Sequence, residues 1–228
     1  MTCDSAAAAL IAELRAHANP ANVAGMARYG IATDRAFGVP IPILRALAKR
    51  AGKDHRLAGE LWASGIHEAR ILATMVEDPA RITPAQMDRW ARDFDSWDVC
   101  DQTCQNLFRS TSHACSKAAE WSGAKREYVR RAGFALMAGL AVQRNKLDDA
   151  QFESFLELIE GAATDDRNLV KKAVNWALRQ IGKRNARLLG KAIAAAERIE
   201  RQDARPARWI AKDALRELRS RVGKLDRR

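Results

Sequence analysis

Aromatic residues make up only 6% of this 228-residue chain, and no segment shows the Val, Ile, Thr and aromatic alternation of a strand. Ala, Leu, Arg and Glu dominate instead, so a sheet-built fold is excluded. Cysteine is also sparse. Cys3, Cys100, Cys104 and Cys115 are too few for the disulfide framework of a small secreted domain, and reduced thiols in a cytosolic compartment are expected. Runs of about 18 or more apolar residues, the minimum for a membrane-spanning helix, are missing. The N-terminal stretch MTCDSAAAALIAELRAHA lacks a basic leader and reads as a helix capped by Asp4 or Ser5, not as a signal peptide. Acid is in deficit as well: 28 Asp and Glu face 39 Lys and Arg, for a formal net charge of +11. That imbalance points first to a polyanionic partner, with nucleic acid ahead of a merely solvated basic surface. With 47% hydrophobic residues the chain is able to bury a sizeable core.

Helix punctuation recurs at short intervals. Asn19-Pro20 and Thr83-Pro84 each pair a capping side chain with proline at the first helical position, and Gly52 stops the run PIPILRALAKRAG. The expected helices are 4–18, 20–28, 40–51, 55–64, 67–77, 84–94, 97–109, 112–121, 125–143, 149–163, 167–184, 186–199 and 204–221. Connections this short favour antiparallel neighbours. VRRAGFALMAGLA aligns with VKKAVNWALRQIG at an offset of roughly 41 residues, the period of HEAT or armadillo helix pairs. HEARILATM from His67 and PARWIAKDAL from Pro206 are weaker echoes. The expected fold is therefore all-α: a single domain over 1–228, an α-solenoid of HEAT-like antiparallel helix pairs with a concave basic face. An irregular helical bundle is the alternative.

One tryptophan is out of phase with the core. On helix 167–184, Val170, Ala173, Val174, Ala177, Leu178 and Ile181 form an apolar stripe, and Lys172, Trp176, Arg179 and Lys183 lie opposite. A flat ring among cations suits a sugar or base bracketed by phosphates; equally, Trp176 packs on a neighbouring repeat beside snorkelling cations. On helix 125–143, Arg131 lies across from Val129, Ala132, Leu136, Met137 and Leu140 and gives a second cation for a phosphate backbone, or else a solvated face. In FDSWDVCDQTCQNLF, Trp97 and Asp101 stand four residues apart, on one face of a helix. Asp98 is read as support for the helix start, with Ser96 as the other cap candidate. His113 with Cys100, Cys104 and Cys115 does not have the spacing of a structural zinc set, so no metal is expected. His67 reads as a structural hydrogen-bonding residue. Trp62, Trp90, Trp121 and Trp209 read as packing between repeats, Tyr29 as a loosely held DNA contact, and the tail LRELRSRVGKLDRR as added DNA affinity or a solvated cap.

SWDVCDQ, followed by YVRRAGFAL and VKKAVNWALRQIGKRN, resembles the HEAT-like-repeat DNA alkylation repair family, the AlkD-type DNA glycosylases. FGVPIPILRALAKR and LWASGIHEARILA resemble its first half, so the likeness runs over roughly residues 20–200. Ser96, where that family often has a second aromatic, and Cys100, in place of a more usual apolar residue, are departures. The resemblance implies a lesion site of Asp101, Trp97, Trp176 and Arg131; Lys172, Arg179 and Lys183 of the basic stripe, and Tyr29, are read as DNA contacts beside it. It implies hydrolysis of the N-glycosidic bond of cationic N3- or N7-alkylpurines in duplex DNA by a monomer without metal or organic cofactor. A purine alkylated at N3 or N7 already carries positive charge, so its departure needs no general acid. What helps is a carboxylate and indole faces beside the oxocarbenium-like sugar. A non-catalytic nucleic-acid-binding repeat protein and a protein-interaction scaffold are the alternatives.

Overall fold

The structure, a computed structural model, describes residues 6–143 and 147–222. Cys3, the expected Asp4 or Ser5 cap and the end of the basic tail lie outside the described residues. Thirteen α-helices and one 3-10 turn account for the regular structure among these residues, with no strand. They are α1 (Ala6–Ala16), α2 (Pro20–Arg28), α3 (Ile41–Ala51), α4 (His55–Ala63), α5 (His67–Val76), α6 (Pro84–Arg92) and α7 (Trp97–Asn106), then the turn Phe108–Ser110. After it come α8 (Ala114–Ser122), α9 (Glu127–Val142), α10 (Asp149–Gly161), α11 (Asn168–Gly182), α12 (Ala186–Glu200) and α13 (Arg205–Arg219). No helix among the described residues is long and apolar enough to cross a membrane.

The punctuation acts as the sequence predicts. Asn19 Oδ1 accepts from the Asn22 amide at 3.1 Å, and Thr83 Oγ1 from the Gln86 amide at 3.2 Å, ahead of prolines whose missing amide costs nothing in a first turn. Gly52 ends α3 at a φ of 72°, where a side chain would be strained. Most helices stop one or two residues inside the expected bounds at one end or both. The largest difference at a single end is in 97–109, which stops being α-helical at Asn106, because Leu107 takes φ −127° and ψ −65° and the chain tightens into the 3-10 turn.

The fold divides into two compact units, Met1–Ser112 and His113–Arg228. In the first, α5 packs on α3, α4 and α7. Trp62 of α4 stacks flat on Trp90 of α6, with centroids 4.1 Å apart and planes 1° from parallel, which locks two successive helix pairs together. In the second, α8/α9, α10/α11 and α12/α13 are antiparallel pairs; α11 packs between α9 and α13, and α10 between α8 and α12. The core stripe on α11 is as the periodicity predicts, since Val170, Ala173, Val174, Ala177, Leu178 and Ile181 are all fully buried. Gly133 sits where α8 and α9 touch. A Cβ there would lie 2.6 Å from the Ser122 amide nitrogen and 2.9 Å from the Trp121 carbonyl carbon. These pairs are the HEAT-like architecture.

Candidate functional site

The α7 face of the first unit

Ser96 occupies the cap position of α7 but makes no capping side-chain bond. The helix start is supported by Asp98, whose Oδ1 accepts from the Val99 amide at 2.9 Å and whose Oδ2 lies 2.9 Å from His67 Nε2. His67 is therefore a bonded structural partner of α7. Burial is the largest influence on its imidazole and pulls its pKa down. The hydrogen bond and charge of Asp98, with the charges of Glu68 and Asp95, outweigh that and leave the pKa above its ordinary value.

Val99, Cys100, Thr103 and Cys104 are the buried side of α7, while Trp97 and Asp101 are both partly exposed. The Trp97 indole nitrogen donates to the Tyr29 carbonyl at 3.0 Å, which fixes the ring against the end of α2. Tyr29 itself is 75% exposed. Trp97 also walls a cavity of about 550 Å³ with the apolar side of α2 and with Ile71 of α5. The sequence reading did not anticipate that cavity. No residue pattern marks it; in the structure α2, despite Val23 and Met26, buries none of its residues.

Beneath the cavity, Glu68 is 1% exposed. Its carboxylate accepts from the Phe37, Gly38 and Val39 amides at 2.9, 2.6 and 3.3 Å. This buried anion pins the chain between α2 and α3 to α5.

The basic face of the second unit

Arg131 does not lie on a solvated face, the alternative reading of its position. It is 6% exposed, because α9 is buried continuously from Arg131 to Ala141, and its Nη1 donates to the Leu169 carbonyl of α11 at 2.8 Å. Trp176 is partly exposed on α11, and Lys172 is exposed there with no ion-pair partner among the described residues. Arg179 and Lys183 are committed to α13: Glu217 takes Arg179 at 2.8 Å and Lys183 at 2.9 Å. Burial is the largest influence on the Glu217 carboxyl and pushes its pKa up. The Lys183 hydrogen bond and charge, with Arg179, outweigh burial and hold the pKa below the usual carboxylate value.

Trp209 corrects the packing expectation. Trp62, Trp90 and Trp121 are buried, but Trp209 is 41% exposed, with the Lys171 ammonium 4.8 Å from its ring centre. It lies in the first turns of α13, the last described helix, and no further described helix covers it.

Relatives

A family model described as "DNA alkylation repair enzyme" matches residues 10–218. The chain belongs to the DNA alkylation repair enzyme family. Among solved structures, it is similar to a member of "a new family of proteins related to the HEAT-like repeat DNA glycosylases with affinity for branched DNA structures". That likeness has a TM-score of 0.77 over 92% of this chain and 94% of the other at 20% identity, which speaks to the shared helical fold. No curated protein matches the chain. Membership of the repair family is in keeping with a basic chain built of helical repeats.

Proposed function

We propose that this alkylation repair family member is a DNA glycosylase that hydrolyses the N-glycosidic bond of cationic N3- or N7-alkylpurines in duplex DNA. The observation that carries the proposal is the α7 face, where Trp97, tethered through its indole nitrogen, and Asp101, one turn on, share the partly exposed side. The base leaves with the electrons of the glycosidic bond and becomes neutral. Positive charge then grows on the sugar. The Asp101 carboxylate stabilises that charge and orients the attacking water, and the indole faces of Trp97 and Trp176 add cation–π attraction.

Arg131 is assigned to a backbone phosphate beside the lesion, and Lys172, Arg179, Lys183 and Tyr29 to the flanking DNA. In this reading the two units act on one duplex as a single functional domain, as a monomer, without metal or organic cofactor. The second reading is a DNA-binding repeat protein without catalysis, which the branched-DNA affinity of the structural relative's family favours.

Release of 7-methylguanine and 3-methyladenine from methylated duplex DNA separates the two. The glycosylase reading expects release by the wild type and its loss in Asp101→Asn with DNA binding retained. Tight, salt-sensitive binding with no release by the wild type leaves the binding module.

A further inference from the structure

Helix α13 repeats the pattern that singles out α11. Arg205, Trp209, Lys212 and Arg216 fall at i, i+4, i+7 and i+11, the spacing of Lys172, Trp176, Arg179 and Lys183. None of them belongs to the core stripe of α13, which is Ala207, Ile210, Ala211, Ala214, Leu215 and Leu218. The cations are held differently on the two helices. On α11, Arg179 and Lys183 are taken by Glu217. On α13, Asp213 takes Arg216, but Arg205 and Lys212 are exposed and have no ion-pair partner among the described residues.

The ring differs as well. Trp209 is the most exposed tryptophan of the chain, since Trp97 and Trp176 are partly exposed and the other three are buried. Beside it lies a cavity of about 570 Å³ walled by Asp166, Lys171, Arg205, Pro206 and Trp209. That volume is within the usual range for ligand sites, about 300–1,000 Å³. Lys171 has no carboxylate partner among the described residues, and its ammonium stands 4.8 Å from the Trp209 ring centre. Asp166 is the acid on this wall, and it is exposed, so water and salt screen it.

Lys171, Arg205 and Lys212 around an open indole are complementary to a polyanion that also carries flat rings. A paired duplex meets such a surface with phosphates alone, because its base faces are stacked inward. Single-stranded DNA offers both chemistries, and cations beside an aromatic platform are how single strands are held. We propose that α13, with Lys171, holds a single-stranded DNA segment adjoining the duplex. One base stacks on Trp209, and the flanking phosphates meet Lys171, Arg205 and Lys212. No base leaves a duplex stack here, since the segment is already unpaired, as in an overhang or a gap. The inference rests on the DNA binding proposed above but not on glycosylase chemistry.

Three probes test it with the full chain, followed by fluorescence anisotropy. They are a blunt duplex, the same duplex with a short thymidine overhang, and the same duplex with an overhang of abasic nucleotides, which keeps the phosphates and removes the bases. Wild type should prefer the thymidine overhang to the abasic one by about tenfold, the scale of one base stacked on an aromatic ring. Trp209→Ala should bind the two overhangs alike and keep the wild-type affinity for the blunt duplex. Trp209→Phe, which retains a ring, should recover most of the preference.

Equal wild-type affinity for the thymidine and abasic overhangs would overturn the assignment, since phosphates alone would then be held. A preference kept in Trp209→Ala would overturn it too. Failure of the wild type to bind any of the three probes would instead remove the DNA-binding reading, and the inference with it.

Discussion

Helix α7 of the first unit has no cation, and helix α11 of the second has no acid. Each presents one partly exposed tryptophan. Their supports are inverted as well. Trp97 is held by a neutral carbonyl and Asp98 by a histidine, whereas Arg179 and Lys183 are held by the Glu217 carboxylate of α13. The two helices therefore carry charge of opposite sign. In the proposed reaction the acidic helix suits the sugar, where positive charge appears as the bond breaks. The basic helix suits the phosphates, where negative charge is permanent. An acid in a basic repair protein is consistent once the two helices are given different parts of the same nucleotide chain.

The sharpest way to break this division is on the acidic helix. Asp101→Asn keeps shape and removes charge, so base release should fall about 10²–10³-fold while duplex affinity stays within about twofold. Release assays and fluorescence anisotropy on the same preparations check it. An equal loss in both would make Asp101 a structural group and dissolve the contrast between the helices.

The next effect concerns what holds the acidic side together. Glu68→Ala leaves the Phe37, Gly38 and Val39 amides without their acceptor under the α2 cavity. Destabilisation of about 3 kcal/mol follows, read as a lower denaturant midpoint. In the second unit the buried Asp165 carboxylate holds Arg167 at 2.6 Å and Arg130 at 3.3 Å, and a steric weak point lies at Gly133, where α8 and α9 meet. If Glu68→Ala unfolds at the wild-type midpoint, water has replaced the carboxylate and the first unit does not depend on it.

A smaller effect separates the cations of α11 from one another. Lys172 has no ion-pair partner among the described residues, so Lys172→Ala should lower the slope of log K against log salt by about one. Lys183 is already neutralised by Glu217, so Lys183→Ala should change it less. Glu217→Gln should move the opposite way, since it releases Arg179 and Lys183 toward phosphate. Equal slopes for the two lysine variants would mean that DNA displaces Glu217 on binding.

How far the sequence carries this picture differs by residue. Every helix was legible, because Asn19, Thr83 and Gly52 mark ends by local chemistry that needs no tertiary partner. The apolar stripe of α11 was legible from its period alone. Arg131 was not, because periodicity on one helix is blind to a neighbour that covers the other side. Trp209 failed for the converse reason: no described helix follows α13 to cover it. The tether of Trp97 to Tyr29, 68 residues away, ends on a main-chain carbonyl and so leaves no signature in residue types. The α2 cavity is a failure of burial, visible only when every neighbour of α2 is in place.

The last and smallest effect is a pH dependence of opposite sign in the two units. Folding raises the His67 pKa, since Asp98, Glu68 and Asp95 together outweigh burial. That contribution is complete below the unfolded value of about 6.5 and is lost as pH rises through the raised folded value. Folding lowers the Glu217 pKa, since Lys183 and Arg179 together outweigh burial. Its contribution is complete above the unfolded value of about 4.3 and is lost as pH falls through the lowered one. Thermal unfolding followed from acid to mildly alkaline pH should therefore show two separable slopes. Asp98→Asn should flatten or invert the one above about pH 6.5, because burial then acts on His67 without its main opponent. Glu217→Gln should remove part of the acid slope and leave the His67 slope unchanged. A single variant that altered both slopes would show that the two titrations are coupled, and the contrast between an acid-supported and a base-supported helix would no longer be a contrast between independent parts.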